Sequence, residues 1–160
     1  SVHDDQLEHA EYLADEAVMP IAMIEHMQKN IGDMGSIVSW HASFENTQNR
    51  NMASMYPAKH GFLHGLISRT VDLEDLFKEG YVDINFQGST SIKKVLPVLV
   101  PGLDYADMEV ASGTDAMEAW QKLISLPASK EKDELRSSML EYCKLDTLAM
   151  IRIFEFMEEL

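Results

Sequence analysis

The sequence of 160 residues contains one cysteine and few basic residues. Because Cys143 has no second cysteine to pair with, no disulfide can form within the chain, and we expect a small buried side chain in a reducing compartment such as the cytoplasm. Only 13 lysines and arginines accompany 27 acidic residues, which gives a formal net charge of -14. This balance argues against a nucleic-acid-binding surface carried by this chain alone.

Long apolar runs are also missing from the sequence. No stretch approaches the roughly 20 residues that a membrane-spanning helix needs, and no signal-peptide pattern is present at the start, so we expect no membrane association. Hydrophobic residues make up 46% and charged residues 25%, as in ordinary globular proteins. The length suits a single domain over residues 1–160. The acidic balance also suits a site that concentrates divalent cations, although acidic surfaces more often serve solubility.

The start of the sequence is unusual. No initiator Met is present, and residues 1–5 resemble the end of a strand with nothing before it. We therefore expect the chain to be a fragment of a longer polypeptide.

The helical pattern over residues 130–160 carries the central motif. Apolar residues recur along it at steps of three and four and so share one face: Leu135, Met139, Tyr142, Ala149, Ile153 and Met157. Further apolar residues widen this face and predict a largely buried helix: Leu140, Cys143, Leu148, Ile151 and Phe154.

Asp146 lies in the middle of that apolar face. A buried carboxylate must be paired, protonated or bound to a cation, because burying it alone is too costly. Tyr142, one turn earlier, can reach whatever the carboxylate holds. The simpler alternative is a structural aspartate that meets an arginine or caps a neighbouring helix.

A predicted strand over residues 36–40 runs directly into a predicted helix that ends near Met55. Ser43 is the expected N-cap, which places Glu45 in the first turn, where the helix dipole favours negative charge. In an open α/β sheet, ligands gather at the carboxyl ends of the strands. Glu45 is therefore a candidate ligand, although a first-turn glutamate more often only satisfies the dipole.

Further helices are predicted over residues 19–29, 92–99 and 113–126, and a short strand over residues 9–14. These patterns indicate a helix-rich α/β class with few strands. Asp72, in a mixed acidic and apolar stretch, is expected to be a structural hydrogen-bond acceptor rather than a ligand.

Two pairs of residues suggest binding sites. His60 and His64 have a spacing used by zinc ligands on helices, but no cysteine or further histidine pair completes a set, so we expect no zinc site. Lys93 and Lys94 are the only paired basic residues and are the candidates for substrate binding through phosphate contacts. The alternative for them is a solvated helix face.

Residues 40–45 and 142–146 together resemble two of the three motifs of the ribonuclease-H-like exonucleases of the DEDD class, in the subclass with a tyrosine in the last motif. The chain also resembles an uncharacterised bacterial family of ribonuclease-H-like domains. That resemblance rests on four segments in the same order: residues 41–45, 69–73, 88–97 and 142–147.

This resemblance implies an α/β fold with a ribonuclease-H-like mixed sheet flanked by helices. It also implies metal-dependent hydrolysis of phosphodiester bonds at a 3′ end of DNA or RNA, with two Mg²⁺ or Mn²⁺ ions. Glu45 and Asp146 would be catalytic metal ligands that face each other, and Tyr142 would position the attacking water.

The sequence departs from the family pattern at three points. His41 stands where the family often has Asn, Glu45 stands where it usually has Asp, and no Asp-x-Glu motif precedes Trp40. The chain would then lack the first strand of the sheet and half of the metal site, so we expect the isolated chain to be inactive and the full-length protein to be active. An exposed sheet edge could also pair with another copy. The alternative function is a non-catalytic ribonuclease-H-like binding or interaction module.

Overall fold

The computed structural model describes residues 2–3 and 6–160, in which α-helices dominate. There are seven in this part of the chain: α1 (Ile21–Ile31), α2 (Ser43–Met55), α3 (His60–Arg69), α4 (Asp75–Glu79), α5 (Ile92–Leu99), α6 (Gly113–Ser125) and α7 (Lys130–Glu158). The helices predicted over residues 19–29, 92–99 and 113–126 are confirmed as α1, α5 and α6. Among these described helices, none has both the length and the apolar character that crossing a membrane requires.

The strands are few and short. Strand β1 (Val2–His3) pairs antiparallel with β2 (Gln6–Leu7), and β3 (Ile37–Ser39) pairs parallel with β4 (Thr70–Asp72). Residues 9–14 have no regular structure, so the strand predicted there is wrong. The rest of the strand end predicted over residues 1–5, namely Ser1, Asp4 and Asp5, lies outside the described residues.

The predicted ribonuclease-H-like mixed sheet is therefore wrong, and so is the α/β class. In the described part of the chain, the sheets are two separate two-stranded pairs, and the protein is mostly helical. The physical reason is the spacing of the apolar residues. Outside the two three-residue strands, they recur mainly at helical steps and are buried on helix faces rather than in a sheet.

The buried side chains form two hydrophobic clusters. The first joins α1, α2 and α3 through Ile24, Met52, Ala53, Leu63 and Leu66. The second joins α4 to α7 through fifteen buried residues, among them Phe77, Val95, Leu96, Leu123 and Ile153.

Strand β3 lies where the two clusters meet. Ile37, at its start, packs against the first cluster, and Trp40, just after its end, packs against the second. The ring of Trp40 stacks on that of Phe77 with a centroid separation of 5.3 Å. These contacts position the start of α2 between the clusters.

Helix α7 confirms the predicted apolar stripe but is buried on that face alone. Its buried residues are Leu135, Met139, Tyr142, Ala149 and Ile153, which recur at steps of three, four and seven. Cys143 and Phe154 are exposed, so the prediction of a wide buried face, with a buried cysteine, is wrong. Asp146 is half-buried.

Candidate functional site

Two tyrosines lie beside the carboxylate of Asp146. The hydroxyl of Tyr105 donates a hydrogen bond of 2.7 Å to Oδ1 of Asp146. Tyr142, one turn earlier on α7, interacts electrostatically with this carboxylate. The two tyrosine rings are buried, with centroids 6.1 Å apart. Asp146 thus lies at the edge of the second hydrophobic cluster beside two phenols.

The position of Asp146 makes its charge costly. Burial raises the pKa of the Asp146 carboxyl above its ordinary value, while the hydrogen bond from Tyr105, the neighbouring Tyr142 and the positive charge of Lys93 act in the opposite direction without cancelling the rise. Burial and the neighbouring carboxylate raise the pKa of both tyrosines. Both phenols therefore stay protonated at neutral pH.

The two candidate lysines of α5 have different surroundings in the structure. Lys93 is half-buried, and its Nζ lies 5.8 Å from the centroid of the Tyr105 ring. Lys94 is exposed, and its Nζ donates to Oε1 of Gln87 at 3.2 Å. Only Lys93 contributes charge to the Asp146 site, and substrate contact by either lysine stays a prediction.

Glu45 is exposed in the first turn of α2. No hydrogen bond or electrostatic interaction links it to Asp146. Among the residues that the structure describes, no three His, Cys, Asp or Glu side chains lie together in a way that could hold a metal ion. The role of Glu45 as a metal ligand therefore stays a prediction.

Asp72 fixes the N-terminus of α2. Its Oδ1 accepts the backbone N–H of His41 and its Oδ2 that of Ala42, both at 2.9 Å, and Oδ1 also accepts the N–H of Glu74 at 3.1 Å. His41 has a φ of 63°, and this left-handed conformation turns two successive N–H groups toward one carboxylate. Asp72 is thereby confirmed as a structural acceptor. The predicted capping by Ser43 is wrong, because no side chain at the N-cap serves as cap.

Glu74 is buried beside this junction, with 7% of its surface exposed. It accepts hydrogen bonds from Nζ of Lys78 at 2.8 Å and Oγ1 of Thr90 at 2.6 Å, and Nδ1 of His41 lies 3.0 Å from its Oε2. Burial acts to raise the pKa of Glu74, but these donors outweigh it and the pKa is lowered. Trp40 adds a hydrogen bond from Nε1 to the carbonyl of Thr90.

These contacts join two of the four segments on which the family resemblance rests, residues 41–45 and 69–73. Trp40 and Glu74, each one residue outside these segments, contact Thr90 in a third, residues 88–97. Arg69, in the second of them, donates to three backbone carbonyls of residues 32–35 at 2.6 to 2.9 Å. Its guanidinium thus holds the turn that leads into β3. In this structure, these segments stabilise the junction between the two hydrophobic clusters.

Sequence reasoning missed Tyr105 and Glu74. Tyr105 follows a Pro-Gly turn in a segment without periodicity, and 41 residues separate it from Asp146. No local pattern marks it. Glu74 had a weak signal, since it lies in a short run that alternates acidic and apolar residues.

Comparisons with known proteins give one finding. Searches of curated proteins and of solved structures found no match. A family model matches residues 1–91, which is more than half of the 160 residues. The matched part includes residues 40–45, Asp72 and Glu74 but ends before Asp146. The chain belongs to the family described as Domain of unknown function (DUF2779).

Proposed function

We propose that this chain takes part in the metal-dependent, exonuclease-type hydrolysis of phosphodiester bonds in DNA or RNA, within the full-length protein. Asp146 is a metal ligand in this proposal, and Tyr142 positions the attacking water. The motif resemblance motivates the reaction, and one structural observation supports it. Asp146 is a half-buried carboxylate that forms no ion pair within the described residues, accepts a hydrogen bond from Tyr105 and lies beside Tyr142.

The negative charge of Asp146 does not serve the stability of the fold. A buried carboxylate without a cation loses hydration, and one neutral donor replaces it only in part. Costly polar groups of this kind cluster at functional sites. A bound cation would remove the cost by neutralising the charge.

The proposed ions are Mg²⁺ or Mn²⁺, which prefer carboxylate oxygens. Asp146 supplies this type of ligand. A two-metal centre needs several such ligands, however, and the described residues place no group of three together. The described residues therefore do not form a complete two-metal centre. The proposal requires further metal ligands around Asp146, and Glu45 is the further ligand proposed within this chain.

The other groups at the site suit a phosphate ester. Lys93 supplies positive charge next to Asp146, and an ammonium can contact a phosphate oxygen. Tyr105 fixes the carboxylate by a hydrogen bond to Oδ1, which keeps its oxygens in one orientation. We also infer a cytoplasmic location, because an exposed free thiol such as that of Cys143 persists in a reducing compartment.

The second candidate function is a non-catalytic binding or interaction module. The absence of a three-ligand group in the described residues favours it. So does Phe44, which lies next to Glu45 and is 60% exposed. A large exposed aromatic residue is a common contact residue in protein interfaces.

A cleavage assay distinguishes the two functions. Single strands of DNA and RNA that carry a 3′ label are incubated with Mn²⁺ and the full-length protein. The protein is either the wild type or the Asp146→Asn variant. Asp133→Asn is the matched control, because Asp133 is exposed in the first turn of the same helix. We expect Asp146→Asn to lower cleavage roughly 100-fold or more, as loss of a metal ligand does, and the control to cleave normally.

The isolated chain of 160 residues is expected to cleave neither strand. Cleavage that is unchanged in Asp146→Asn would contradict the role of Asp146. Binding of the strands by the wild-type polypeptide without any cleavage would favour the interaction module.

A further inference from the structure

The exposed face of α3 carries two histidines one turn apart. The rings of His60 and His64 are nearly parallel, with centroids 4.1 Å apart and an interplanar angle of 21°. Both residues are exposed. Among the described residues, neither ring has a hydrogen-bond or ion-pair partner. Their nitrogens are therefore accessible to a ligand from solution.

Two glycines lie beside these histidines. Gly61 and Gly65 each follow one of them, although glycine is the least favourable residue inside a helix apart from proline. A Cβ at either position would meet nothing within 4 Å, and neither glycine has a positive φ. The packing and backbone conformation of this chain thus explain neither glycine. Glycine also permits close approach of a ligand to the backbone, which points to something outside the chain.

We propose that His60 and His64 form a bidentate binding site for a divalent transition-metal ion of the Zn²⁺, Ni²⁺ and Cu²⁺ group. Histidine nitrogens bind such an ion at about 2.0–2.1 Å, which places two nitrogens on one ion roughly 3 Å apart. The two ring centroids are 4.1 Å apart, and rotation of these exposed side chains between rotamers turns one nitrogen of each ring toward a shared ion. The helix surface at Gly61 and Gly65 carries no side chains and leaves room for the other ligands of the ion.

This site differs from the structural zinc site that the sequence excludes. A structural zinc ion is enclosed by four protein ligands, whereas an open site needs fewer and completes its coordination with water or a partner's ligand. Imidazole selects Zn²⁺, Ni²⁺ and Cu²⁺, while Mg²⁺ and Mn²⁺ select oxygen ligands. The histidine site is therefore chemically independent of Asp146 and does not depend on the proposed hydrolysis.

The test is a titration of the chain, purified without an affinity tag, with Ni²⁺ or Zn²⁺. His60→Ala and His64→Ala should each weaken binding about 10-fold or more, because a two-ligand site becomes a one-ligand site. The double variant, which keeps neither ligand, should bind at least as weakly as each single variant. The matched control is His9→Ala, since His9 is also exposed and lies 2.9 Å from Glu11. Unchanged affinity in both single variants, or an equal loss in the control, would overturn the proposal.

Thermal melts give a second, independent measurement. Zn²⁺ should raise the Tm of the wild type and of His9→Ala, but not that of His60→Ala or His64→Ala, because a ligand stabilises only the form that binds it. Gly65→Ala should raise the Tm of the metal-free chain, since the fold does not require this glycine. A lower Tm for Gly65→Ala would show that the fold requires this glycine. It would contradict the argument that the glycine is there to leave room for a ligand.

Discussion

The hydroxyl of Tyr105 donates a hydrogen bond of 2.7 Å to Oδ1 of Asp146, and 41 residues of sequence separate the two. Tyr105 is almost fully buried. This contact links a loop after α5 to the candidate site on α7. It also determines how the candidate carboxylate is oriented, because a short bond to a charged acceptor is directional.

Tyr105→Phe keeps the ring and removes the donor. We expect the free energy of unfolding to fall by roughly 0.5–1.5 kcal/mol, the usual net value of one hydrogen bond. The pKa of Asp146 should rise further, because one of the groups that oppose the effect of burial is lost. Urea denaturation measures the first effect, and a ¹³C NMR titration of the carboxyl carbon measures the second.

Tyr81→Phe is the matched control for this change. Tyr81 packs against the same hydrophobic cluster, and within the described residues its hydroxyl has no hydrogen-bond partner. The free energy of unfolding of Tyr81→Phe and the pKa of Asp146 in this variant should both stay close to the wild-type values. Equal behaviour of Tyr105→Phe and Tyr81→Phe would contradict the role assigned to Tyr105.

Asp146→Asn tests the cost of the charge. The pKa of Asp146 is higher in the folded state, so the folded state holds the proton more tightly, and wild-type stability falls as pH rises from the unfolded pKa of about 3.9 through the folded value. At pH 7 without metal, Asp146→Asn should be as stable as the wild type or more stable, on the order of 1 kcal/mol after solvent screening.

The advantage of Asp146→Asn should shrink toward pH 3, where the wild-type carboxyl is protonated in both states. Chemical denaturation in the presence of a chelator, at both pH values, measures this dependence. Asp133→Asn serves as the control, with a small loss from the helix dipole. A clear loss of stability for Asp146→Asn at pH 7 would favour a structural aspartate.

Asp72→Ala tests the turn that leads into α2. The change removes the acceptor of three backbone N–H groups, so the free energy of unfolding should fall by roughly 2 kcal/mol. Asp75→Ala is the control, because Asp75 is exposed and, within the described residues, forms a surface ion pair with Lys78 alone, which contributes little. Equal stability of the two variants, measured by urea denaturation, would show that Asp72 does not hold this turn.

Helix positions were predictable from the sequence because they depend on local spacing. The buried residues of α7 are those at steps of three, four and seven, and α5 begins and ends at the predicted residues. The extent of burial was less predictable. Cys143 and Phe154 lie on an apolar side of α7, but whether a second element covers that side depends on contacts that are distant in sequence.

The sheet was mispredicted because strand pairing, like burial, depends on contacts that are distant in sequence. A three-residue strand such as β3 fits many sheets, and its local pattern does not determine how many partners it has. The predicted mixed sheet followed from the motif resemblance and not from further strand patterns in the chain. At the candidate site, the sequence identified Asp146 and Tyr142 by their helical spacing, whereas Tyr105 reaches them only through the tertiary fold.

The most direct test of the central claim is the effect of Mn²⁺ on the ¹³C carboxyl signals of the chain at neutral pH. A paramagnetic ion broadens the signals of the groups that bind it. We predict that the Asp146 signal broadens at lower Mn²⁺ concentration than those of the exposed carboxylates Glu131 and Asp133 at the start of the same helix. Broadening of Glu131 and Asp133 with Asp146 unaffected would contradict the claim that Asp146 is a metal ligand.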